Sequence, residues 1–127
     1  MPKIYLSPST QDWNMYVTGS GSEEYNMNLL ADALVPYLLS NGIQYQRNRP
    51  EMTAGSSIRE ANQGEYDLYL ALHSNAAPEG RYGEERGIIA FYYPGSVGGQ
   101  RAAELIAQEL RKIYPLPNKV TTRPTTS

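Results

Sequence analysis

The sequence predicts an α/β fold in which a mostly parallel, twisted sheet is flanked by helices. Three observations carry that expectation. Short apolar runs with strand period alternate with longer runs of helical period along the chain. In Asp67-Leu-Tyr-Leu-Ala-Leu-His-Ser-Asn75, leucines at 68, 70 and 72 alternate with Tyr69, Ala71 and His73, the period-two pattern of a strand. Crossovers between neighbouring parallel strands then place the loops after the strands along one edge of the sheet.

The elements follow in order. Lys3 to Leu6 reads as a first strand stopped by the turn cluster Ser7-Pro-Ser9. Residues 10 to 22 are polar, end in Gly19-Ser-Gly-Ser22, and read as a loop over the sheet edge. Ser22 is an N-cap ahead of Glu23 and Glu24. From Glu24 to Leu39 a helix is expected with Leu29, Leu30, Ala33, Leu34, Tyr37 and Leu38 as its apolar positions, stopped by Gly42. An interior proline costs about 3 kcal/mol, so a bend is expected at Pro36. Ile43 to Arg47 is a second strand, Ser57 to Gln63 a short helix closed by Gly64, and the His73 strand follows. Residues 76 to 86 form a loop rich in Gly, Pro and charge. Gly87 to Tyr93 is a fourth strand, halted by Pro94-Gly95. Val97 to Tyr114 is an amphipathic helix with Ala102, Ala103, Leu105, Ile106, Leu110 and Ile113 on one face. The Pro/Thr-rich tail from Pro115 reads as extended.

Bulk properties narrow the function. A chain of 127 residues, 40% hydrophobic, is expected to form one domain over 1–127. A net charge of -2 argues against nucleic acid as the main partner, since phosphate binding wants a basic face. The absence of cysteine excludes disulfides and thiolate metal sites. No apolar run approaches the roughly 18 residues of a membrane span, and the amino-terminal residues lack the apolar core of a signal peptide.

His73, the sole histidine, is expected at the carboxyl end of its strand, where ligands bind in open α/β sheets. Glu24 opens a helix whose start converges on the same edge. Carboxylate oxygen and imidazole nitrogen are donors that suit zinc and leave a position for water. Each residue also has an ordinary reading: an acid satisfied by the helix dipole, and a hydrogen-bonded structural histidine. Glu23 points about 100° away from Glu24 and is expected to face solvent.

Taken together, these segments resemble the zinc-dependent N-acetylmuramoyl-L-alanine amidases, the Amidase_3 catalytic domain. Ile4-Tyr-Leu-Ser-Pro8 resembles the family's first strand, and Glu24-Tyr-Asn-Met-Asn28 its Glu-x-x-x-Asn helix opening. Arg47-Asn48 and Ile58-Arg59-Glu-Ala-Asn62 resemble the second-strand arginine and the helix after it. Leu70-Ala-Leu-His-Ser-Asn75-Ala resembles the Ser-x-His-x-Asn-Ala element, and Gly87 with Tyr92-Tyr93 the next strand. The resemblance implies a three-layer α/β/α, phosphorylase/hydrolase-like fold of bacterial type, a Zn²⁺ cofactor, and peptidoglycan as substrate at the cell wall or outside the cell. The bond cut would join N-acetylmuramic acid to L-alanine. Glu24 and His73 match two of three metal ligands, and Asn75 becomes a substrate neighbour or a plain turn residue.

The chain departs from the family in two places. Pro8-Ser-Thr-Gln11 stands where the family has its first ligand histidine. Register favours Thr10 or Gln11, donor chemistry favours Asp12, and a loop with no ligand competes with all three. The family's general-base glutamate lies in a C-terminal strand and helix without counterpart here, so the piece is expected to be weak or inactive and prone to self-association. A non-catalytic cell-wall glycopeptide-binding module of the same fold is the alternative. A flavodoxin-like enzyme cradling phosphate at Gly19-Ser-Gly-Ser22 ranks lower, because Glu23 and Glu24 would repel an anion. Arg47, Arg59 and Asn62 are read as residues that tie loops together.

Overall fold

A computed structural model of the chain describes residues 2–10, 21–74 and 87–126. The chain divides into two compact units, residues 1–76 and 77–127.

In the first unit β1 (Lys3–Pro8) is the middle strand of a parallel three-stranded sheet, with β2 (Gln44–Arg47) on one side and β3 (Leu68–Leu72) on the other. Leu6 stands beside Arg47, and Pro8 beside Leu72. Helix α1 (Glu23–Ser40) connects β1 to β2, and α2 (Ala54–Gln63) carries the chain back across to β3. The two crossovers step in opposite directions, so right-handed connections put the helices on opposite faces of the sheet. The side chains agree. Ile4 and Leu6 pack with Ala31, Leu34, Val35 and Leu38 of α1, and with Leu68, Leu70 and Leu72. The alternate residues Tyr5 and Ser7 meet the α2 side: the Tyr5 hydroxyl donates to Glu60 Oε1 at 3.0 Å. Tyr5 also stacks on Tyr69 and meets Tyr66 edge-on.

Helix starts are set by hydroxyl caps, of which the sequence suggests Ser22; α2 begins at Ala54, ahead of the Ser57 expected. Ser22 Oγ accepts from the Tyr25 N–H, and Thr53 and Ser56 form a reciprocal capping box at the start of α2. Helix α1 runs through Pro36 as one element, with the proline exposed. Its contact stripe is narrower than the sequence suggested. Only Leu34 and Leu38 of the six expected positions join the core, with Ala31 fully buried between the layers. Leu29, Leu30 and Tyr37 are exposed. A helix apolar on several faces gives no unique direction, and the sheet selects the face whose alanine permits close approach.

In the second unit β4 (Ile88–Tyr92) and β5 (Val120–Pro124) pair in parallel, joined by α3 (Val97–Arg111) and a 3₁₀ turn at Pro117–Lys119. Strand β5 gives the extended tail a partner: Val120 is buried, and Ile88 lies beside it. Gly87 has φ +129°, and a Cβ there would come within 2.4 Å of the Lys119 carbonyl, so the position requires glycine. Helix α3 ends at Arg111, earlier than expected, and buries Ala103 and Ala107 while Leu105, Ile106 and Ile113 are exposed.

Candidate functional site

The carboxyl edge of the first unit's sheet gathers the chemistry. Where β1 ends, the Ser9 N–H donates to the Leu72 carbonyl at 2.9 Å, extending the β1–β3 pairing to the residue before His73. Helix α1 begins above this edge with Glu23, whose side chain is 2% exposed. Its Oε1 accepts the Ser74 N–H at 3.0 Å, and its Oε2 accepts a hydrogen bond from Ser9 Oγ. His73 Nδ1 lies 3.5 Å from the same Oε2. The imidazole is 44% exposed, so the pair has one buried member and one open to solvent.

The expectation paired Glu24 with His73, and the structure sets a different acid beside the histidine. The carboxylate brought to the histidine is Glu23, expected at the surface, whereas Glu24 lines a shallow groove with Ser22, Tyr25, Asn28, Leu29 and Asp32. The reason is positional. Glu23 is the first helical residue, and side chains tilt toward the helix amino terminus, so it reaches beyond the helix end to β1 and β3. Glu24 opens onto the flank where Asn28 follows one turn later. No periodicity in the sequence signals this difference; the one hint is that Glu23 directly follows the cap Ser22.

The remaining candidates fall as follows. Gln11, Asp12 and Asn75 lie outside the described residues. Thr10 lines a cleft of about 370 Å³ together with His73, Ser9, Asn48, Glu51 and Met52. Arg47 ties β2 to α1, donating to Asp32 Oδ1 at 2.7 Å and to the Asn28 side chain at 2.9 Å. Arg59 and Asn62 are exposed on α2. Asn48, not singled out from sequence, donates from Nδ2 to Ser7 Oγ, to the Pro8 carbonyl and to Ser57 Oγ at 3.1–3.2 Å. Arg49 bridges Glu51 and Glu60 at the cleft rim, and both carboxylates push its guanidinium pKa up. Beneath them burial, then the hydrogen bond to Glu60, pushes the Tyr5 phenol up to about 12.

The donor set can be tested against a metal. Two ligands each about 2.0–2.2 Å from a tetrahedral zinc lie roughly 3.3–3.6 Å apart. The 3.5 Å between His73 Nδ1 and Glu23 Oε2 falls in that interval. Among the described residues no third histidine, cysteine or acid joins them in a cluster.

The first unit therefore shows the site edge of an open, parallel α/β sheet, with a buried acid and a histidine at its centre. A solved structure with this architecture is the N-acetylmuramoyl-L-alanine amidase AmiC2 of Nostoc punctiforme, which the chain matches with a TM-score of 0.78 at 13% identity, over 99% of this chain and 70% of that one. At that identity the likeness establishes an amidase-like fold. The sequence matches no protein-family model and no curated protein.

Proposed function

We propose that this chain is a zinc-dependent peptidoglycan amidase, acting at the cell wall on the amide between N-acetylmuramic acid and the L-alanine of the stem peptide. The observation that carries the reading is the Glu23–His73 pair at zinc-ligand spacing, on the carboxyl edge of a fold shared with a solved amidase of that specificity.

Glu23 and His73 would hold the ion, with Gln11 or Asp12, which follow β1 in sequence, as the third donor. When bound, the ion supplies Lewis-acid polarisation of the amide carbonyl and activation of a water. The chain's own residues do the positioning. Ser9 Oγ and the Ser74 N–H fix both carboxylate oxygens of Glu23, leaving the remaining lone pair of Oε2 toward His73. The half-exposed imidazole faces the cleft, so substrate can approach from solvent.

The test is zinc titration and muramoyl-alanine cleavage for the chain and for Glu23→Ala, His73→Ala and Glu24→Ala. Loss of a ligand is expected to weaken zinc at least about 100-fold, beyond the range seen for residues that merely orient ligands. Glu24→Ala is expected to bind zinc as the parent does. Zinc affinity indifferent to His73→Ala would refute the metal site. Tight muramoyl-peptide binding without zinc or cleavage would instead assign a glycopeptide-binding module.

A further inference from the structure

The cleft beside His73 contains a hydrogen-bond acceptor whose orientation is fixed by the fold. Asn48 follows β2, and its backbone N–H is held by the Leu6 carbonyl at 3.2 Å. Its Nδ2 faces three oxygens, one of which, the Pro8 carbonyl, can only accept. The NH₂ end of the amide is therefore inward, and the two ends cannot be exchanged without setting oxygen against oxygen. Oδ1 is left with no partner among the described residues. No buried side-chain oxygen or nitrogen lacks a partner there, so Oδ1 is open to solvent, and Asn48 lines the cleft.

Position gives this acceptor a register. Asn48 and His73 follow the two strands that flank β1. Strands lie about 4.8 Å apart, so the two residues stand roughly 10 Å from one another across the β1 end. An extended peptide advances about 3.4 Å per residue. A chain running from His73 across the cleft thus reaches Asn48 after about three residues. The cleft they share is also lined by Pro8, Pro50 and Met52, apolar groups suited to short side chains and the peptide backbone.

We propose that Asn48 is a substrate-binding residue whose Oδ1 accepts a backbone N–H of the stem peptide, two to three residues beyond the bond that lies at His73. The inference rests on the amidase reading and adds a peptide subsite to it. Its ligand is the peptide arm of the substrate, bound along the β1 end.

The probe is the free stem tetrapeptide that cleavage would release, which cannot itself be cut. It is titrated into the zinc-loaded chain, unmodified and methylated at one backbone nitrogen at a time. One methylation, at the second or third residue beyond the cut, is expected to weaken binding about fivefold, the effect of one hydrogen bond. In Asn48→Ala the same methylation is expected to cost nothing further, a coupling that a purely structural asparagine would not produce. Should the alanine variant fail to fold, the Asn48 side-chain amide resonance of the parent decides. It is expected to shift with the unmodified peptide and not with the sensitive methylated one. Equal losses across all positions, or the same loss in parent and variant, overturn the inference while leaving the hydrolase reading standing. Failure of the unmodified peptide to bind overturns the peptide subsite alone, since the amidase reading stands or falls on zinc affinity and cleavage.

Discussion

Taking a carboxylate out of water costs several kcal/mol unless its lone pairs are met, and Glu23 meets that demand with one hydroxyl, one backbone N–H and an imidazole. The Ser9 and Ser74 contacts reach both oxygens, so the acid is oriented before any ligand arrives. Glu23→Gln keeps the shape but sets an NH₂ against one of two donors. It is expected to lose roughly 1–3 kcal/mol of stability in urea unfolding along with its zinc affinity, while Glu24→Gln changes neither. Tyr5 makes a separate prediction. Its phenol is raised from 10.0 to about 12, so the neutral form belongs to the folded state. The stability it contributes is fully present below pH 10 and is lost as pH rises toward 12, because the unfolded chain ionises first. Urea midpoints measured between pH 8 and pH 12 should fall more steeply for the parent than for Tyr5→Phe across that window.

At the scale of elements, α1 shows how a helix with apolar residues on several faces is oriented. Ala31 and Leu38 touch the sheet, and Leu29 on the outer flank stays half exposed. Leu38→Ala is expected to cost about 2–4 kcal/mol, whereas Leu29→Ala should stay near 0.5 kcal/mol. Equal costs would mean that the helix packs by another face. Arg47 binds the same helix to β2 through Asp32 and Asn28, which accounts for an arginine at the end of a short strand without assigning it chemistry. The strands were legible because period two leaves few alternatives. Apolar residues on several sides of the helices left their buried faces ambiguous. The strand at Val120 was hidden by neighbouring prolines and threonines, and its single buried valine carries too little pattern to reveal it.

For the whole molecule, zinc should act as a folding ligand. A metal that binds only the folded chain stabilises it by about 2.7 kcal/mol at 100 times its Kd, so zinc is expected to raise the melting temperature of the parent and leave His73→Ala unmoved. The described surface includes several large apolar side chains, Leu39, Val97 and Ile113 among them. Apolar exposure of this kind favours association, and sedimentation at rising concentration is expected to show species heavier than the 14.2 kDa monomer. No helix among the described residues is long and apolar enough to cross a membrane.

Local pattern determined the alternation of strands and helices, the cap at Ser22, and the arrival of His73 at a strand end, because each depends on neighbours within a few residues. The choice of Glu23 over Glu24, and the fixing of the Asn48 amide, belonged to the tertiary structure alone. A wheel drawn through Ala31, Leu34, Val35 and Leu38 places Glu24 nearer the core face, by about 30° against 70° for Glu23. What overrides it is contact at long sequence separation: Ser9 and Ser74 stand beyond the end of the helix, and only folding brings their donors there.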